Sequence, residues 1–182
     1  MAGATVGAQI TLWTWDGSTA VPQLTREYFY TGEQSAGTRL EGDLLKVQQK
    51  KQFRAFLVCG SCEGRQVDWT VRVTPRGLED LGETSAVPEV DAVDELLYRV
   101  IHRQPAAGVA SPAAIRAARK LIDESRKQNP SFGFASWKVI PSDPPSVCLV
   151  ADNFRPSTFL LRRQGGKFFV MDVVATLSAC NE

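Results

Sequence analysis

Two stretches with helical spacing sit in the middle of this chain, and on both sides of them the apolar residues alternate with a period of two. Val90, Val93, Leu96, Leu97, Val100 and Ile101 recur three and four residues apart, which predicts an amphipathic helix over Glu89 to Gln104, ended by Pro105 and Gly108. Ser111-Pro112 reads as an N-cap followed by proline at the first helical position. Ile115, Ala118, Leu121 and Ile122 form the buried stripe of a second helix to Lys127, closed by Asn129-Pro130.

Before the helices, Gln9 to Trp15 alternates as a strand and meets the turn signal Asp16-Gly17-Ser18. Arg26 to Thr31 is aromatic and strand-like, and Leu44 to Gln48 forms a further short strand. Phe53 to Cys59 and Gln66 to Val73 read as a hairpin with Cys59-Gly60-Ser61-Cys62 near its tip. Thr74 to Pro88 breaks the pattern with Pro75, Gly77, Gly82 and Pro88. After the helices, Ala135 to Ile140 and Ser146 to Ala151 alternate again, while Ser157 to Arg163 and Lys167 to Leu177 flank the hairpin turn Gln164-Gly165-Gly166.

Segregated runs of this kind predict an α+β fold of mostly antiparallel sheet, N-terminal strands and a C-terminal meander, with two central amphipathic helices. A length of 182 residues sets one domain, 1–182, as the expectation. The break at Thr74 to Pro88 offers a split into a β-rich 1–74 and an 89–182 of two helices plus a four-stranded sheet. In element order, and in the Arg162-Arg163-Gln164-Gly165-Gly166-Lys167 hairpin, the latter resembles the cone-shaped domains of the NTF2-like and cystatin-like kind. That resemblance implies a fold and transfers no function.

A formal net charge of +1 supplies no global field to concentrate nucleic acid, so no nucleic-acid partner is expected. No run approaches the roughly 18 apolar residues of a membrane helix, so no membrane insertion is expected either. Met1 to Gln9 has no basic n-region and no apolar h-region, so no signal peptide is read there. The small-residue start Ala2-Gly3-Ala4 fits a mature exported chain as well as a native cytosolic start.

Four cysteines, Cys59, Cys62, Cys148 and Cys180, are the best handle on compartment. Two disulfides are the leading reading, ahead of plain thiols, zinc and a redox centre in that order. The redox reading lacks the helix that would activate a thiol, because a strand follows the Cys-Gly-Ser-Cys motif. Zinc lacks a second closely spaced ligand pair and would need Cys148, Cys180 or His102. His102 is the sole histidine and reads as a solvated residue at a helix C-terminus. No nucleophile elbow, zinc-protease or phosphate-loop motif occurs. Asp91, Asp94, Glu95, Asp123 and Glu124 cluster on the helices; Asp91 reads as complementing a helix start, the others as a solvated face beside arginines.

The aromatic residues point elsewhere. Trp13 and Trp15 share one strand face, Tyr28 and Tyr30 share a face of the next, and pairing of the two strands would make one binding surface of large, stiff, partly polar rings. The alternative is that this face is half of the core. Basic residues gather on the second helix (Arg116, Arg119, Lys120, Arg126, Lys127) and at the tail hairpin (Arg162, Arg163, Lys167), where phosphate groups or an acidic protein could bind, or where the side chains are simply solvated. The sequence thus predicts a non-catalytic binding protein, secreted or periplasmic, of inhibitor or immunity type, with a protein partner and no cofactor or metal. Its rivals are a small-molecule binder or carboxylate enzyme with a pocket between helices and curved sheet, and a zinc-stabilised cytosolic module.

Overall fold

Most of the period-two segments become strands, and each of these pairs with a neighbour in sequence. The computed structural model describes residues 6–30, 37–51, 54–55, 65–128, 135–151 and 154–175. Among these residues, ten strands and two helices make an α+β protein with antiparallel sheets. The chain divides into two units, Met1–Gln52 with Glu63–Ala86, and Phe53–Cys62 with Val87–Glu182.

In the first unit β1 (Val6–Trp15) and β2 (Ala20–Tyr30) pair as a two-stranded ribbon. β3 (Thr38–Glu41), β4 (Leu44–Lys51), β5 (Arg65–Thr74) and β6 (Gly77–Ser85) form a four-stranded meander in that order. The strict alternation of β5 puts Val67, Trp69 and Val71 on one buried face, with Val47 of β4 directly opposite Trp69. Ile10, Leu12 and Leu24 of the ribbon and Leu45 and Leu78 of the meander pack onto that face.

Two expectations change here. The stretch from Thr74 to Pro88 is not a simple break, because it contains β6. Pro75 and Gly77 mark the turn before the strand, Gly82, with φ +88°, marks a bulge within it where Leu81 is the extra residue, and Pro88 opens the helix that follows. Charged residues stand on both faces of this edge strand and hide the alternation: Glu79 is opposite Arg72, and Glu83 is opposite Trp69, where Arg26 pairs with it. The expected hairpin partner of β5 also differs: both edges of β5 are taken, by β4 and β6. Of the segment Phe53 to Cys59, Arg54 and Ala55 form a bend and the rest lies outside the described residues.

In the second unit α1 (Pro88–Ile101) and α2 (Pro112–Gln128) precede a meander of β7 (Ala135–Ile140), β8 (Ser146–Ala151), β9 (Phe154–Gln164) and β10 (Lys167–Ala175). Of the helical stripes predicted from spacing, Val90, Val93, Leu96 and Leu97 of α1 and Ala118, Leu121 and Ile122 of α2 are buried; Val100, Ile101 and Ile115 are partly buried, and Ala114, which the spacing did not single out, is buried as well. They meet Val147 and Leu149 of β8, Phe159 and Leu161 of β9, and Val170 of β10, which fill the space between helices and sheet. Ser111 caps α2 as expected, its Oγ accepting from the Ala114 N–H at 3.0 Å. The same hydroxyl donates to the Met171 carbonyl at 2.5 Å, so the start of α2 is tied to β10. No helix among the described residues is long and apolar enough to cross a membrane.

Asp94 departs from the solvated face that the sequence assigns it. It is 1% exposed and accepts the backbone N–H groups of Arg54 at 3.0 Å and Ala55 at 2.9 Å. Beside it the Arg54 guanidinium lies 4.1 Å from the Tyr98 ring centroid and pairs with Glu95, which also takes Arg99 at 2.6 Å. A buried carboxylate is retained when donors surround it, and removing it strands those donors. Asp94→Ala is therefore expected to cost about 2–4 kcal/mol in urea unfolding, while Glu95→Ala, which breaks partly exposed pairs, costs about 1 kcal/mol or less. Equal effects of the two substitutions would refute this account of Asp94.

Candidate functional site

The ribbon has an inward and an outward face, and alternation decides which residue goes where. Ile10 and Leu12 turn to the core of the first unit. Trp13 and Trp15 remain 55% and 67% exposed. Register puts Pro22 opposite Trp13 and Ala20 opposite Trp15, and both are exposed. Directly paired residues share a face, so the tip carries an apolar ledge of Trp13, Trp15, Ala20 and Pro22. Towards the middle of the ribbon the ledge gives way to polar groups, beginning with the Thr11 and Thr25 hydroxyls 3.3 Å apart.

The turn beyond Trp15 is held by its own side chain. Asp16 accepts from the Ser18 and Thr19 N–H groups, each at 2.8 Å, and from the Ser18 hydroxyl at 2.9 Å. These donors, the Ser18 N–H foremost, hold the Asp16 carboxyl below its ordinary value. Gly17 supplies the positive φ, +103°, that the turn requires.

The ribbon is fixed to the meander by one arginine. Arg26 reaches from β2 to two carboxylates of β6, Asp80 at 2.6 Å and Glu83 at 2.9 Å, with its guanidinium 5.0 Å from the Trp69 ring centroid. The other Asp80 oxygen accepts the Trp69 indole N–H at 2.8 Å and the Gly82 N–H at 2.9 Å. The Arg26 hydrogen bond, helped by the Trp69 and Gly82 donors and opposed by burial, holds the Asp80 carboxyl below 3.8.

The other sequence candidates are distributed as follows. Tyr28 pairs with Ala8 and Tyr30 with Val6. These positions lie towards the far end of the ribbon, about 17 Å or more along the strand from Trp13. The register thus brings the tryptophans together with Ala20 and Pro22, and places the tyrosines away from them. Cys148 is buried in β8; Cys59, Cys62 and Cys180 lie outside the described residues. His102 is exposed at the C-terminus of α1, its ring 4.4 Å from that of Tyr98. The helix carboxylates diverge: Asp94 points inward, Glu95 pairs with arginines, and Glu124 lies 3.9 Å from Lys120. No group of three or more metal-ligating side chains occurs among the described residues.

In comparison with known proteins, the chain matches no family model, no curated protein and no solved structure. The likeness in element order to NTF2-like and cystatin-like domains therefore carries no family assignment.

Sequence reasoning missed the Arg26 anchor. The pairing partners lie 54 and 57 residues away on a strand that its glycines conceal, and no local pattern reports such a contact. The folded-state value of Asp80 is depressed, so its contribution to stability is complete above 3.8 and is lost as the pH falls through the folded value. The stability gap between the wild type and Asp80→Asn is expected to be about 1–2 kcal/mol at neutral pH, given partial exposure, and to close as the pH is lowered below 3.8. Urea midpoints across that range test this, and a gap that does not change with pH would refute it.

Proposed function

We propose that this chain is a non-catalytic binding protein that recognises another protein through the tip of the β1–β2 ribbon. The observation that carries the reading is the exposure of two adjacent same-face indoles, Trp13 at 55% and Trp15 at 67%, beside exposed Pro22 and Ala20. Large contiguous apolar groups left in water mark interaction surfaces more often than stability devices. Tryptophan is also the residue most enriched among interface hot spots, because it buries much area at little entropic cost. The Asp16 turn pre-orders the tip, which lowers the cost of docking. A hairpin tip is convex, and a convex apolar tip suits insertion into a partner's cleft, as an inhibitor or immunity-type protein requires.

Export is the second part of the proposal. Its support is the even count of four cysteines: we read buried Cys148 as one half of a disulfide, and such bonds persist chiefly in oxidising compartments. Two bridges among Cys59, Cys62, Cys148 and Cys180 would complete it. Alkylation in denaturant should label Cys148 only after reduction. Labelling without reductant would remove the support for export.

For the ledge, a Trp13→Ser, Trp15→Ser double variant is expected to keep the thermal midpoint of the wild type. It should lose the cross-linked partner captured by wild type from the secreted fraction of its source, while Val174→Ser, altering an exposed residue of β10, keeps it. A loss of stability on the scale of core truncation, about 3 kcal/mol, would place the indoles in a packed core and reject the reading. So would undiminished capture by the double variant.

A further inference from the structure

The second unit carries a cavity of about 380 Å³ on its helical side, lined by Val100, Arg103, Arg119, Ile122, Asp123 and Arg126. Arg119, Ile122, Asp123 and Arg126 are spaced i, i+3, i+4 and i+7, so they form one stripe along α2. Val100 belongs to the last turn of α1, and Arg103 follows it with φ +56°, its N–H bonded to the Val100 carbonyl at 3.2 Å. Ile122 is 1% exposed and makes an apolar floor with Val100.

The wall is unbalanced in charge. Three guanidiniums and one carboxylate line it. Neither Arg103 nor Arg119 forms an ion pair among the described residues, although elsewhere on α2 Lys120 has Glu124 within 3.9 Å. Arg126 reaches the Ile101 carbonyl at 3.5 Å, a long contact that places it at the rim of α1. Like charges around a concavity repel one another until an anion enters, and planar guanidinium forks match the oxygens of phosphate.

The rest of the lining narrows the ligand. The volume falls within the roughly 300–1,000 Å³ of small-molecule sites and exceeds what a bare phosphate fills. Asp123 is an acceptor that repels phosphate but accepts a hydrogen bond from a hydroxyl, and half-buried Val100 can lie against the apolar face of a ring. We propose that the cavity between the end of α1 and the Arg119–Arg126 stripe of α2 binds a small hydroxylated phosphate monoester, such as a sugar phosphate. Arginines 103, 119 and 126 hold the phosphate, and Asp123 takes a hydroxyl. The ribbon tip plays no part in it.

The test is a titration of the full chain with glucose 6-phosphate, followed by backbone amide NMR shifts, with inorganic phosphate and glucose as comparison probes. Saturable shifts centred on residues 100–103 and 119–126 are expected with glucose 6-phosphate. Inorganic phosphate should bind at least about tenfold more weakly, a difference of about 1.4 kcal/mol, and glucose should give none. Arg119→Gln should weaken glucose 6-phosphate at least about tenfold with no change in thermal midpoint. No saturable shift at about 10 mM would overturn the proposal. Equal binding by inorganic phosphate, or unchanged affinity in Arg119→Gln, would overturn it as well.

Discussion

An isolated pair of β-strands is barely stable in water, so the β1–β2 ribbon exists only through what its inner face touches. Three aliphatic side chains, Ile10, Leu12 and Leu24, supply the apolar contact with Trp69 and its neighbours. That contact is non-directional and would allow the ribbon to slide. Arg26 removes the freedom, because its fork must meet Asp80 and Glu83 together while Asp80 is already oriented by the Trp69 indole. Once the inner face is fixed, the pleat dictates that Trp13 and Trp15 face outward. Their exposure is thus a consequence of the register that the core imposes, and no folding term requires indoles there.

The second unit solves a different problem, how to hold a piece of chain that arrives from elsewhere in the sequence. Among the described residues Arg54 and Ala55 pair with no strand, and Asp94 on α1 provides both acceptors from one buried carboxylate. Burying that charge is unfavourable on its own, and the two amide donors offset it. Arg54 then covers the site by stacking on Tyr98 and pairing with Glu95. A residue that spacing alone assigns to a wet helix face is in fact an organising centre for the crossing segment.

How much was legible follows from the range of each interaction. The helices, the Ser111 cap, and strands β5, β7 and β8 were readable because their information is local: apolar period, capping hydroxyl, flanking proline. β6 was hidden because charged residues stand on both of its faces, Glu79 opposite Arg72 and Glu83 opposite Trp69, and its bulge brings glycine into the interior of the pattern. That Trp13 and Trp15 share a face was legible from period two, though not which way that face turns. The position of Tyr28 and Tyr30 was not, since the register of β2 depends on where the turn falls and on the bulge after Leu12. Asp94 and Arg26 act over dozens of residues, and no spacing rule reaches that far.

The arginine cavity shows the same division from the other side. By spacing, Arg119, Asp123 and Arg126 share one face of α2, and the sequence alone leaves its basic residues open between binding phosphate groups or an acidic protein and plain solvation. What changes its meaning is Arg103 at the end of α1, which ends helical geometry with a positive φ and brings a third guanidinium to the same concavity. On a flat surface, water with its high dielectric makes three neighbouring arginines unremarkable. Around a concavity with an apolar floor, fewer water dipoles screen them, and the same charges become an anion site. Sequence supplies the charges; the left-handed residue after α1 supplies the curvature that gives them a common target.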